Sequence, residues 1–177
     1  NITVEQLKND EFEITSFSRK KGTEAPPKLL DLTSLQVEAN KKYGFSAEDT
    51  LKLTQKLYEK KLLTYPRVDT TFLPSDMHPK IEGIMQKLST YSEYTQKVLA
   101  NKIPKLKWVF DDSKVTDHHA IISTGVDPKN IYGDEQKIFD IVARRFIANF
   151  YPDCIVSNTT VTGKVGKIAF KATGKQI

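Results

Sequence analysis

The chain has 177 residues and a mass of 20.1 kDa, enough for one domain or two small ones, and its 38% hydrophobic residues suffice for a buried core. Twenty-seven Lys and Arg against 22 Asp and Glu give a net charge of +5, which admits nucleic acid as a partner without making the chain a polycation. A single cysteine, Cys154, excludes an internal disulfide and, with only three histidines, the usual ligand sets of structural zinc; no apolar run approaches the ~18 residues of a membrane span.

The lone cysteine suits a reducing, cytosolic compartment, and Asn1 to Glu5 carries neither a signal-peptide pattern nor an initiator methionine, so the chain reads as a piece of something longer. From Phe12 to Phe17 the alternation of apolar and polar residues predicts a strand, followed by a basic turn at Arg19-Lys20-Lys21-Gly22. Thr33 with Gln36 has capping-box spacing and Gly44 follows two lysines, which predicts a helix from about Ser34 to Tyr43. Ser46 with Asp49 starts a second helix to about Lys61, with Leu51, Leu57 and Tyr58 on one side, and Pro66 ends it. Ile81, Ile84, Met85 and Leu88 keep helical spacing, and a shorter helix is predicted around Thr95 to Asn101.

The runs Trp108-Val109-Phe110 and Ala120-Ile121-Ile122 read as extended. A helix from Asp134 carries Ile138, Ile141, Val142, Phe146 and Phe150 and ends before Pro152. Val156 to Gly174 reads as a hairpin turning near Gly163 to Gly166. The class is therefore α+β, with strands from both chain ends sharing a sheet around a helical middle, and Cys154 reads as buried filler.

Most of the net charge lies in two stretches. Residues 41–67 carry seven basic residues and three acids, and residues 157–177 carry four lysines and no acid. Both suit a phosphate backbone, although any single lysine is more commonly a solvating one. Within Leu63-Thr64-Tyr65-Pro66-Arg67-Val68-Asp69-Thr70, an extended segment sets Arg67 beside Tyr65, and a tyrosine nucleophile needs such a charge or a base. By itself this spacing is weak, since tyrosines at helix ends usually pack.

Preceded by Gln55-Lys56-Leu57-Tyr58-Glu59, that octapeptide resembles the active-site tyrosine signature of type IA DNA topoisomerases. Asp31-Leu32-Thr33-Ser34-Leu35-Gln36 upstream and Asp117-His118-His119-Ala120-Ile121-Ile122-Ser123-Thr124 downstream resemble two further motifs of that family, in the family's order. With proline after the tyrosine and paired histidines, the variant is most similar to the bacterial topoisomerase III branch. Val68, Thr70 and Ser123 depart from the family's usual threonine, serine and proline.

The resemblance implies a helical domain at 33–150 that carries the tyrosine, and a partial β-rich arch, or hinge, from 1–32 and 151–177. It implies that Tyr65 attacks single-stranded DNA to form a 5′-phosphotyrosyl link, with Arg67 on the scissile phosphate and His118 hydrogen-bonding near it. Ser34, Gln36, Lys61, Asp69 and His119 become DNA contacts. Mg²⁺ is implied for the whole enzyme, bound by a Toprim domain whose acidic motif this sequence lacks, so that the fragment alone is expected to lack full activity. A monomer on DNA, in the cytoplasm at the nucleoid, is also implied.

Alternatives stand beside each role. Both histidines read equally as structural, Gln36 as a capping residue, and Asp69 as an N-cap or as a salt-bridge partner of Arg67. A non-catalytic module would bind single strands through basic helices, with Tyr43, Tyr65 and Phe72 stacking on bases. A tyrosine recombinase is disfavoured, because its arginine set is missing: only Arg19, Arg67, Arg144 and Arg145 occur.

Overall fold

A computed structural model describes residues 11–177, and the opening Asn1 to Glu5 lies outside them. The described residues divide into two compact units, residues 11–25 with 152–177, and residues 26–151.

The first unit is a three-stranded antiparallel sheet in the order β1 (Phe12–Glu24), β2 (Cys154–Val165), β3 (Ile168–Gln176). The two chain ends thus meet in one sheet, with Phe12 opposite Val165 and Glu24 opposite Cys154. A two-residue turn joins β2 to β3, with Gly166 at φ 57°, the left-handed backbone that such hairpin turns require. Gly163 is needed for a different reason: a Cβ there would stand 2.3 Å from the Phe12 ring, which packs edge-on against Phe170.

Arg19 to Gly22 is not a turn. These residues continue β1, and Arg19 Nε donates to Ser157 Oγ on the neighbouring strand at 2.8 Å. Cross-strand bonding continues past the apolar alternation, which is why the strand outruns its hydrophobic pattern. Cys154 is exposed rather than buried, as the first residue of β2. The acid-free stretch 157–177 draws acids from β1, with Lys164 pairing Glu13 at 3.0 Å and Lys175 pairing Glu24 at 2.8 Å.

The second unit is helical. Helix α1 (Leu32–Tyr43) starts two residues earlier than Thr33 and Gln36 imply: Asp31 is the N-cap, accepting from Ser34 N at 2.7 Å, while Asp31 N donates to Ser34 Oγ at 3.0 Å. Burial of Leu30 and Leu35 fixes this register, and Leu32 N donates to Val68 O at 3.1 Å. Gln36 instead donates to Ala47 O at 3.0 Å, tying α1 to the next helix. Gly44, at φ 73°, closes α1 with Lys41 and Lys42 in the last turn.

Helix α2 (Ala47–Glu59) is capped by Ser46, which accepts from Asp49 N at 3.0 Å. Its buried face is Thr50, Thr54 and Leu57 rather than the expected stripe of Leu51, Leu57 and Tyr58. The threonines tolerate burial because each hydroxyl donates to a carbonyl four residues back, at 2.8 and 2.7 Å. Nor does Pro66 end the helix. Lys61 sits at φ 61°, its N–H bonds Tyr58 O, and Leu62 N bonds Leu57 O, a Schellman ending five residues before the proline.

Helices α3 (His78–Lys87) and α4 (Ser92–Leu99) bury Ile81 and Met85, and Thr95 and Val98, the second beginning three residues earlier than expected. Trp108 and Val109 form a turn rather than a strand, because both Val109 N and Phe110 N donate to Leu106 O, and only Phe110 bridges, to Leu73. The long helix α5 (Gly133–Ala148) supplies the centre of the core: Ile138, Phe139, Val142, Ala143 and Phe146 are fully buried, each large side chain worth about 1.5–3 kcal/mol. No helix among the described residues is long and apolar enough to cross a membrane.

Tyr91 docks on α5, its hydroxyl donating to Asp140 Oδ1 at 3.2 Å, the oxygen that also receives Arg144 Nε at 2.7 Å. Burial, with the Asp140 charge beside it, pushes the Tyr91 phenol well above its ordinary value. The unfolded chain therefore loses this proton first, and the stability held by the neutral phenol is full below pH ~10 and falls above it. Tyr91→Phe is expected to flatten the alkaline loss of stability relative to the parent, read from denaturant unfolding between pH 8 and 11. Parallel curves would contradict the coupling.

Candidate active site

The tyrosine lies in the irregular segment that follows α2. Its backbone is fixed by a second extended segment, Ala120 to Thr124, which pairs on one side with Leu30 and on the other with Leu63. Thr64 is the centre of that pairing. Its N–H donates to Ile122 O at 3.0 Å, its hydroxyl donates to Ala120 O at 3.2 Å, and the same oxygen accepts from Ile122 N at 3.0 Å. Beyond Thr64, side chains alternate: Pro66 and Val68 are buried, while Arg67 and Asp69 are exposed and Tyr65 is half-buried. Extended backbone has this period of two, so Tyr65, Arg67 and Asp69 share the outer side.

On that side Tyr65 meets His118, with ring centroids 4.3 Å apart and planes tilted by 35°. Its other neighbour is Tyr58 of α2, edge-on at 5.5 Å and 81°. An open cleft of about 770 Å³ adjoins them, bordered by Asp31, Thr33, Arg67, Asp69, Thr116 and His118. Arg67 makes no ion pair among the described residues, which leaves its guanidinium free for an anion and removes the Asp69 salt bridge.

The other sequence candidates are placed differently. Ser34 spends its hydroxyl on the cap, donating to Asp31 Oδ1 at 2.6 Å, and Gln36 holds Ala47. Lys61 is exposed at the helix end, where its carbonyl accepts from Thr124 Oγ1 at 2.6 Å. His119 is half-buried, with Nδ1 at 2.9 Å from Ala120 O, whereas His118 faces the cleft. Phe72 offers no stacking face: it is buried, with Lys28 and Lys114 ammonium groups 5.5 and 4.5 Å from its ring centre. Tyr43 remains partly exposed.

The local basic excess is also smaller than the count implies. Lys42, Lys52 and Lys60 pair with Glu38, Glu48 and Glu135, and Glu38 and Glu135 lie outside residues 41–67. Among the described residues no group of three or more His, Cys, Asp or Glu side chains is placed to hold a metal ion.

Three departures from the family pattern have structural work. Val68 fills the core and its carbonyl receives Leu32 N. Thr70 Oγ1 donates to Lys114 O at 2.7 Å. Ser123 is fully buried and its Oγ accepts from Gly125 N, closing a turn at φ 84° in which a Cβ would stand 3.1 Å from Ile84 Cα. Sequence reasoning missed the roles of Thr64, Asp31 and Tyr58; the usable signal was a hydroxyl-bearing, β-branched residue directly before the tyrosine.

The sequence pattern of the family described as DNA topoisomerase matches residues 1–177. DNA topoisomerase 3 of Bacillus cereus (strain ATCC 14579) is 40% identical over 179 residues, covering 98% of this chain and 25% of that protein. DNA topoisomerase 3 of Bacillus subtilis (strain 168) is 40% identical over 157 residues, covering 85% of this chain and 22% of that protein. Among solved structures, full-length topoisomerase I from Thermotoga maritima superimposes with a TM-score of 0.63 at 24% identity, covering 97% of this chain and 29% of that one, a likeness of fold. The chain spans about a quarter of the length of the curated relatives it matches.

Replacing Thr64 by Val strands the Ile122 N–H and removes a donor from Ala120 O. A loss of about 1–3 kcal/mol is expected, seen as a lower denaturant midpoint of the 177-residue chain. Thr64→Ser keeps the hydroxyl and should recover most of it; an unchanged midpoint in the Val variant would show that the bonds do not hold the segment.

Proposed function

Because the chain belongs to the type IA DNA topoisomerase family, we propose that it is the part of such an enzyme that breaks and rejoins one DNA strand, with Tyr65 as nucleophile. The observation that carries this reading is the stacked Tyr65–His118 pair beside a cleft that also takes in Arg67, which has no ion pair among the described residues.

The Tyr65 phenolic oxygen attacks the phosphorus of a phosphodiester in single-stranded DNA. A bond forms between phosphorus and that oxygen, and the bond to the 3′ oxygen breaks; the phenol gives up its proton and the departing 3′ oxygen takes one. Reversal of both exchanges rejoins the strand. Since the phosphotyrosyl ester keeps the bond energy, the exchange needs no ATP hydrolysis. Arg67 donates to the non-bridging oxygens, where charge accumulates in the transition state, and His118, stacked on the tyrosine ring, donates a further hydrogen bond near the phosphate. Asp69 and Lys61 are proposed to contact flanking DNA. For Ser34, Gln36 and His119 the same role requires exchanging the bonds they make here.

Relaxation or decatenation is assigned to the whole enzyme, as a monomer acting on nucleoid DNA in the cytoplasm. Mg²⁺ dependence is likewise proposed for the whole enzyme. Among the described residues the side chains do not form a site for it. We assign residues 33–150 to the tyrosine-bearing domain and the chain ends, 1–32 and 151–177, to a hinging arch. Leu29 and Leu30 pack in the core of the helical unit.

In the whole enzyme, Tyr65→Phe is expected to abolish the covalent adduct with a labelled single-stranded oligonucleotide, and Arg67→Ala to lower the cleavage rate by about a hundredfold or more. An adduct formed by the Phe variant would overturn the assignment.

A further inference from the structure

Arg67 borders two clefts. Besides the one it shares with His118, a second of about 390 Å³ lies on the exposed face of α2, lined by Glu48, Leu51, Lys52, Gln55, Lys56 and Arg67. We propose that this second cleft is a subsite for the nucleotide whose 5′ phosphate is joined to Tyr65, with its base lying along α2 between Tyr58 and Leu51. The proposal rests on Tyr65 being the nucleophile.

The direction of the ester makes such a place necessary. A nucleotide joined through its own 5′ phosphate stays with the tyrosine after the break, so its sugar and base need a surface within one nucleotide of Tyr65. Two routes leave Arg67. The first is lined by Asp31, Asp69 and Asp117 and is the more acidic; the second sets Lys52, Lys56 and Arg67 against Glu48 and Glu59, a net positive lining suited to a phosphate chain. A strand crossing Arg67 from one cleft thus runs on into the other.

The second cleft has the chemistry of a base site. Leu51, half-buried, gives an apolar floor. Gln55 donates one N–H to Glu59 Oε1 at 3.1 Å, which leaves its amide oxygen and second N–H for a base edge. One turn further on, Tyr58 is partly exposed while its ring packs on Tyr65, so it offers a stacking surface continuous with the nucleophile. From Glu48 to Tyr58 the helix rises about 15 Å, enough for the first nucleotides of a strand.

The test uses the whole enzyme and single-stranded oligonucleotides in which the first position downstream of the cleavage site is either a normal or an abasic nucleotide. For the parent, the abasic strand should bind about tenfold more weakly, the lower part of what one stacked base is worth. Gln55→Ala and Leu51→Ser, checked for unchanged helical circular dichroism, should each bind the normal strand more weakly and lose little further on the abasic one. If the parent forms its covalent adduct but binds both strands equally, or if the variants respond to base removal as fully as the parent, the subsite is wrong. An adduct that survives Tyr65→Phe would instead defeat the reading of Tyr65 itself.

Discussion

Everything at the site depends on how Thr64 is held. One hydroxyl and one N–H, at 3.0 to 3.2 Å from the backbone of Ala120 and Ile122, tie the segment before Tyr65 to the segment after His118. The two lie more than fifty residues apart in sequence, and neither belongs to a regular helix or sheet. Isolated bridges of this kind are individually weak; here they are backed by the fully buried Leu30, Leu63, Leu73, Ala120 and Ile122. The core supplies the rigidity, and the bridges set the register.

Given that register, the site follows from backbone period. Pro66 and Val68 point inward, so Tyr65, Arg67 and Asp69 point outward, and His118 reaches the same side from the facing segment. A slip of one residue would bury Arg67 without a partner, which costs several kcal/mol. The Schellman ending at Lys61 serves the same purpose one step earlier. It turns the chain sharply out of α2, so that Tyr58 on the helix and Tyr65 beyond it come ring to ring.

Much of the secondary structure was legible because it rests on local chemistry. Ser46 before α2, Gly44 after α1 and the apolar spacing of α5 each act within one or two helical turns, and each appears where its pattern places it. Failures came where a distant partner outweighed the local signal. Thr33 with Gln36 lost the cap to Asp31 with Ser34 because burial of Leu30 and Leu35 shifted the helix start. The basic run of β1 was drawn into the sheet by β2, and the threonine face of α2 was buried because its hydroxyls close on their own helix.

By itself the sequence determined the α+β class, the order of the elements and the family, since periodicity, caps and motif order are properties of the chain read in one dimension. That Arg67 accompanies Tyr65 was also readable, two residues apart in an extended run. Only the tertiary structure decided that His118 rather than His119 stacks on Tyr65, that Phe72 is enclosed by lysines, and that half-neutralised lysines flank the site. These depend on which distant backbone atoms satisfy Thr64 and on which carboxylates the folded helices bring near, and such long-range pairings leave no periodic trace in a single sequence.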